Sequence, residues 1–164
     1  MPYHPAMPSR VTGRPPSYSA VQMTEIVLPS HANALGTAFG GTVMAWIDIA
    51  AAVAAQRHSG GTVVTASIDS LQFVNPVRQG DVVELRASIN RAWRSSMEVG
   101  VRVACETPGD PQNARHAASA YLTFVALDEA GRPRTVPPLR PQTSEERRRF
   151  RAAAGRRAQR LDRR

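Results

Sequence analysis

Residues 39–58, FGGTVMAWIDIAAAVAAQRH, decide how this chain of 164 residues is read. After the glycine pair, Ala, Val, Ile, Met and Trp follow with nothing to end a helix until Gly60 and Gly61 supply the stop. The stretch predicts a helix from Gly40 to Arg57, apolar over most of its surface, as a helix enclosed by other structure must be. Asp48 breaks the pattern. A carboxylate buried without a partner is costly. Asp48 therefore either caps or pairs with an arginine at a subunit interface, or acts as a general base or nucleophile. Composition alone leaves the two readings level.

Upstream, SAVQMTEIVL (Ser19–Leu28) reads as a strand and PSHANALGTAFGG as a turn-rich loop. Downstream the period switches to two. Val64, Ala66 and Ile68 alternate with Thr65, Ser67 and Asp69, and Val83, Leu85, Ala87 and Ile89 with Glu84, Arg86, Ser88 and Asn90. Val99, Val101, Val103 and Cys105 share one face of the next strand, and Ala118, Ala120, Leu122, Phe124 and Ala126 one face of the last. Such alternation describes a sheet covered on one side and wetter on the other. One long apolar helix followed by strands gives an α+β fold, with the helix packed on an antiparallel sheet.

A hydrophobic content of 42% suits one globular domain. Three segments are expected: a Pro-rich, disordered extension over 1–18, the domain over 19–140, and a basic tail over 141–164. All 21 basic residues are arginine. The missing lysine excludes Schiff-base chemistry, a P-loop and Ser–Lys catalysis. Nine arginines lie from Ser144 onward, in a segment that reads as an exposed helix capped by Thr143 or Ser144. Without interleaved aromatics it reads as a solvated helix rather than a nucleic-acid arm. The N-terminus lacks the apolar region of a signal peptide. The longest apolar run, Thr42–Ala55, is too short to span a membrane. A single cysteine, Cys105, forms no internal disulfide and fits a reducing cytoplasm.

G-x-S-x-G, H-E-x-x-H, C-x-x-C and G-x-G-x-x-G are all absent, and the four histidines have no metal-binding spacing, so no metal is expected. Cys105, on the apolar face of its strand, reads as core rather than nucleophile. Gly40 and Gly41 tilt the balance for Asp48. Free amides at a helix N-terminus attract negative charge, and glycine lets a substrate carbonyl come close. Such donors with a carboxylate eight residues along make a plausible acyl-transfer site.

Four stretches then share an order and separation with a known family: PSHANALGTAFGGTVMAWIDIAAAVAAQRH, VVTASIDSLQFVNPVRQGDVVEL, RSSMEVGVRV and VPPLRPQTSEERRRF. Over about residues 20–150 the chain resembles the hotdog-fold acyl-CoA thioesterases of the YciA and brain acyl-CoA hydrolase type. The resemblance implies a long central helix wrapped by a curved antiparallel sheet of about five or six strands. It implies dimers, often assembled as a trimer of dimers, a hexamer. It also implies hydrolysis of acyl-CoA to a free carboxylic acid and CoA without metal or organic cofactor. By the same resemblance Asp48 is catalytic, Asn33 is its partner across the subunit interface, and Gly40, helped by Gly41, polarises the thioester carbonyl. From its residues alone, Asn33 reads rather as an Asx turn.

Arg94, Ser95 and Ser96 match the family's CoA-contacting loop, although Trp93 stands where relatives carry glycine. Arg78 could reach a CoA phosphate or simply face solvent. Phe39 and Thr65 match positions that line the site. A non-catalytic acyl-CoA binding or sensing module of the same fold is the alternative, and the complete set of Asn33, Gly40 and Asp48 argues against it. A hotdog dehydratase would need a histidine near Asp48, and none lies within a helical turn.

Overall fold

The computed structural model describes residues 12–163. Helix α1 spans Gly40–Ser59, and Gly60, at φ 78°, takes the left-handed conformation that ends it. Five strands accompany it: β1 Val21–Ile26, β2 Val63–Phe73, β3 Val82–Ala92, β4 Ser96–Glu106 and β5 Arg115–Ala126. They form one antiparallel sheet in the order β1-β3-β4-β5-β2, which leaves β1 and β2 as edges. This is the expected hotdog architecture, with five strands.

In α1, Val43, Ile47, Ala50, Ala51, Ala54 and Ala55 are buried at helical spacing. They meet Leu85, Ile89, Val99, Val103, Leu122 and Phe124 in one core. Four small alanines on that stripe let the sheet approach the helix closely. The opposite stripe is left uncovered by the chain: Met44 is 38% and Ile49 53% exposed. Cys105 is buried in the core, as its face predicts.

Simple alternation fails in β2. Its register with β5 shifts between Thr65 and Ser67 and again between Ile68 and Ser70. Each bulge adds a residue and resets the direction of the side chains that follow. Thr65 consequently lies opposite the core residue Phe124, whereas Val64, expected on the covered face, lies opposite Val125 and is exposed.

Two terminal expectations need correction. Residues 12–18 are ordered; the rest of the N-terminal extension, 1–11, lies outside the described residues. Arg14 exchanges backbone hydrogen bonds with Pro138 and Arg140, and its guanidinium donates to the carbonyls of Arg57 and His58. A cation at the carbonyl-rich end of α1 is favourable, and that contact fixes the segment. A turn of 3-10 helix follows at Pro16–Tyr18.

The basic tail is a helix, as expected, but one of its faces packs on the sheet. Helix α2, Ser144–Asp162, starts with a capping box: Thr143 Oγ1 accepts from the Glu146 N–H, and Glu146 accepts from the Thr143 N–H. Farther along, it covers polar groups on the sheet face opposite α1. Glu98, with no exposed surface, accepts from Arg156 Nη2 at 2.7 Å and from Asn90 Nδ2 at 3.0 Å. Arg160 Nη1 donates to Asp69 at 2.7 Å and to Thr123 at 2.9 Å. A sheet face that buries a glutamate must supply it with donors, and the arginines of α2 are those donors.

Candidate active site

The loop before α1 folds back on itself to deliver its first glycines without obstruction. The Phe39 N–H donates to the His31 carbonyl at 2.8 Å, and the Asn33 N–H to the Thr37 carbonyl at 2.9 Å. Asn33 Oδ1 accepts from the Leu35 N–H at 2.9 Å, which is an Asx turn, and Asn33 Nδ2 donates to Thr37 Oγ1 at 3.0 Å. In α1 the amides of Thr42 and Val43 both donate to the Phe39 carbonyl. The amides of Gly40 and Gly41 remain as the helix's unclaimed donors. A Cβ on Gly41 would meet nothing within 4 Å, and one on Gly40 would lie 3.6 Å from the Phe73 ring. A cavity of about 450 Å³ opens beside this turn, lined by Thr37, Gly40, Val43, Phe73 and Pro76. Phe39, the residue that precedes the helix, is 52% exposed.

Asp48 sits half-buried on the uncovered stripe of α1. Thr65 Oγ1 donates to its Oδ1 at 2.8 Å, while Oδ2 accepts from nothing among the described residues. The carboxylate is thus held on one oxygen and open on the other. Within one chain Asp48 is joined neither to Asn33 nor to the glycine amides. Eight residues of helix place it about 12 Å from Gly40, too far for both to touch one carbonyl group.

The remaining expected residues lie elsewhere. Arg94 and Ser95 lie in the turn between β3 and β4 and Ser96 opens β4, where the Trp93 N–H donates to the Ser96 carbonyl. Through the pairs Thr65–Phe124 and Phe124–Met97 this turn stands two strands from Thr65, about 10 Å away. Arg157 lies over the Trp93 ring at 4.6 Å. Arg78 is exposed, and its backbone N–H donates to Asp81 Oδ2. Burial, chiefly, pushes the Cys105 thiol above its usual range and keeps it unreactive.

Sequence reasoning missed Glu98 and Thr123 with their partners on α2, and it singled out Asp69, in the family-like stretch VVTASID, without its partner Arg160. Their signal was present: Phe150, Ala153, Arg157 and Arg160 recur at spacings of three and four, which marks a covered helix face even where the residues are basic.

Comparison with known proteins bears on this geometry. The thioesterase superfamily model matches residues 35–112. Mouse acyl-coenzyme A thioesterase 11 is 40% identical over 91% of this chain, which spans only 25% of that protein's length. The uncharacterized acyl-CoA thioester hydrolase YkhA of Bacillus subtilis is 42% identical over 78% of this chain and 74% of its own. Among solved structures, an apo-hexameric acyl-CoA thioesterase superposes with a TM-score of 0.89 at 40% identity, covering 93% of this chain and 97% of that one. The Staphylococcus aureus acyl-CoA hydrolase, solved with butyryl-CoA and CoA, superposes with a TM-score of 0.86 at 39% identity, covering 92% and 91%. That enzyme has also been characterised with an aspartate, an asparagine and a threonine separately replaced by alanine. With identity at this level over nearly whole chains, and the same helix and sheet, this chain belongs to the hotdog-fold thioesterase superfamily, alongside its acyl-CoA hydrolases.

Proposed function

We propose that the protein hydrolyses acyl-CoA thioesters to a free carboxylic acid and CoA, at sites shared between two copies of the chain. One observation carries this reading: a carboxylate fixed on one oxygen by Thr65 and open on the other, on a helix whose first two amides are unclaimed. The spacing of the altered residues in the S. aureus hydrolase supports it. Its asparagine and aspartate stand 15 residues apart and its aspartate and threonine 17, as do Asn33, Asp48 and Thr65 here.

Geometry within one chain divides the residues into two groups. Asn33 and the glycines share a loop and helix start, and Asp48 and Thr65 lie about 12 Å along the helix. A second copy whose α1 runs antiparallel across the uncovered stripe would bring its Asp48 to the first copy's Gly40. That docking would also cover Met44, Ile49 and Phe73, which one chain leaves exposed. The hexameric state of the related enzymes supports such pairing.

In the proposed reaction the thioester carbonyl oxygen lies at the amides of Gly40 and Gly41. Asp48 Oδ2 takes a proton from water, and the hydroxide adds to the carbonyl carbon. The oxyanion forms against the two amides, a contact that can contribute about 3 kcal/mol per donor. Collapse breaks the C–S bond, and the CoA thiolate leaves with the proton that Asp48 held. Direct attack by Asp48 to give an anhydride, then opened by water, uses the same atoms. Asn33 orients the water or the carbonyl. Neither route requires a metal or organic cofactor. Arg94, Ser95, Ser96 and Arg78 offer donors to the CoA moiety, and Phe39 flanks the acyl entrance. A cytoplasmic location belongs to the same proposal, supported by the single cysteine held as a thiol.

Thiol release from acyl-CoAs of graded chain length tests the proposal. The wild-type protein is expected to release CoA, and Asp48→Asn, which keeps the side chain's shape, is expected to lower kcat by about 100-fold or more. Binding of acyl-CoA without turnover at every chain length would instead identify a sensing module.

A further inference from the structure

Strand β2 has to face two ways at once. The Thr65 hydroxyl reaches Asp48 on α1, on the core side of the sheet. Ser67 lies opposite Thr123, and the Asp69 carboxylate is held from the other side by α2. In a regular strand residues 65, 67 and 69 would all point to one face. The bulge between Thr65 and Ser67 leaves Ala66 unpaired and lets the two sets diverge.

Asp69, the unpaired residue of the second bulge, between Ile68 and Ser70, ties the two bulges together. Its Oδ1 accepts from Ser67 Oγ at 2.8 Å, and its Oδ2 accepts from Thr123 Oγ1 at 2.8 Å and Arg160 Nη1 at 2.7 Å. Arg160 also donates to Thr123 Oγ1 at 2.9 Å, which closes a triangle across β2, β5 and α2. The side chains of Arg160 and Asp69 are only 16% and 9% exposed. Charge-assisted bonds shielded from water in this way hold geometry better than surface pairs do.

We propose that Asp69 and Arg160 are positioning residues for Asp48. By pinning the β2 bulge against α2 they keep the Thr65 hydroxyl on Asp48 Oδ1, and so fix the direction in which Oδ2 faces. The inference rests on Asp48 being the base of the hydrolysis proposed above. It gives the basic helix a part in catalysis: it braces from the far side of the sheet the strand that orients the carboxylate.

The test is a kinetic cycle on acyl-CoA hydrolysis. Arg160→Met and Asp69→Asn are each expected to lower kcat about tenfold, as small misplacements of catalytic groups do. KM should stay within about twofold, since no substrate contact is lost. Arg160→Lys should recover part of the loss. Thr65→Ala should lower kcat to a similar extent, and adding Arg160→Met to it should cost nothing further, because both act through the same hydroxyl. Arg148→Met, which breaks only the exposed pair with Glu145, serves as the control and should retain wild-type kcat.

Wild-type kcat in folded Arg160→Met or Asp69→Asn, or losses that multiply in the double variant, would overturn the proposal. Should Arg160→Met fail to assemble, the isosteric Asp69→Asn decides on the same readouts. Asp48→Asn run alongside separates the two layers. If it keeps wild-type kcat, the hydrolytic base itself is misassigned; if it is dead while Arg160→Met is fully active, only the bracing role fails.

Discussion

Asp48 looks misplaced only while α1 is taken as buried all round. The helix has two apolar stripes, and the carboxylate stands on the one its own chain leaves open, with Thr65 as its single partner among the described residues. The sequence shows a carboxylate at a helical position. It does not show the hydroxyl 17 residues later, because a bulge rather than strand period aims that hydroxyl at the helix. His58 is the opposite case, a titratable group with no exposed surface. Its Nε2 lies 2.9 Å from the Pro137 carbonyl, and its Nδ1 has no partner among the described residues. Burial is the main cause that lowers its pKa; the Pro137 hydrogen bond opposes the shift and Arg14 adds to it. The unfolded chain, with an ordinary histidine pKa near ~6.5, therefore takes up this proton first as the pH falls. Stability is complete above that value and declines as the pH drops through it toward the folded pKa. The thermal midpoint should fall between pH 7.5 and 5.5, and in His58→Gln that fall should be smaller. Equal pH sensitivity in the two proteins would contradict this account of His58.

At the scale of elements, α2 departs most from what the sequence suggests. Its cap and polarity are legible in Thr143 and the run of arginines, and so is the position of α1 between two glycine pairs. The destination of α2 is not, because arginine is ordinarily a solvent residue and Glu98 gives no sign in sequence of being buried. Only the assembled sheet shows that Glu98 stands between Arg91 and Thr123 on a face that α2 covers. A glutamate in that position depends on Arg156. Arg156→Met should destabilise the fold by about 3 kcal/mol in denaturant unfolding, since it leaves a buried charge without its partner. Glu98→Met combined with Arg156→Met should recover most of that loss, because the pair is costly to desolvate as well as favourable once formed. A double variant as unstable as the single one would show that α2 is held by packing alone. The core faces of β3, β4 and β5 needed no such correction. Leu85, Val99, Val103, Leu122 and Phe124 are buried where alternation puts them, because these central strands have neighbours on both sides.

Viewed as a whole, the molecule is incomplete as one chain. Its open helix stripe and its edge strand β2 expose Met44, Ile49, Val64, Ile68 and Phe73 together, and the two groups of site residues lie too far apart to act on one carbonyl. Among the described residues no helix is long and apolar enough to cross a membrane. The proposed dimer would answer both deficits, since a second copy would bury the apolar surface and supply the other half of each site. Subunit mixing tests this central claim most directly. Asn33→Ala and Asp48→Asn, each inactive alone, are co-expressed with different tags, and assemblies carrying both tags are purified and assayed for CoA release. A dimer of one chain of each kind contains one intact site and one doubly altered site. Purified mixed dimers should therefore show about half of wild-type activity per chain, and mixed hexamers built from randomly paired dimers about a quarter. Mixed assemblies as inactive as their parents would contradict a site built from two chains, with Asp48 and Thr65 on one and Asn33 and Gly40 on the other.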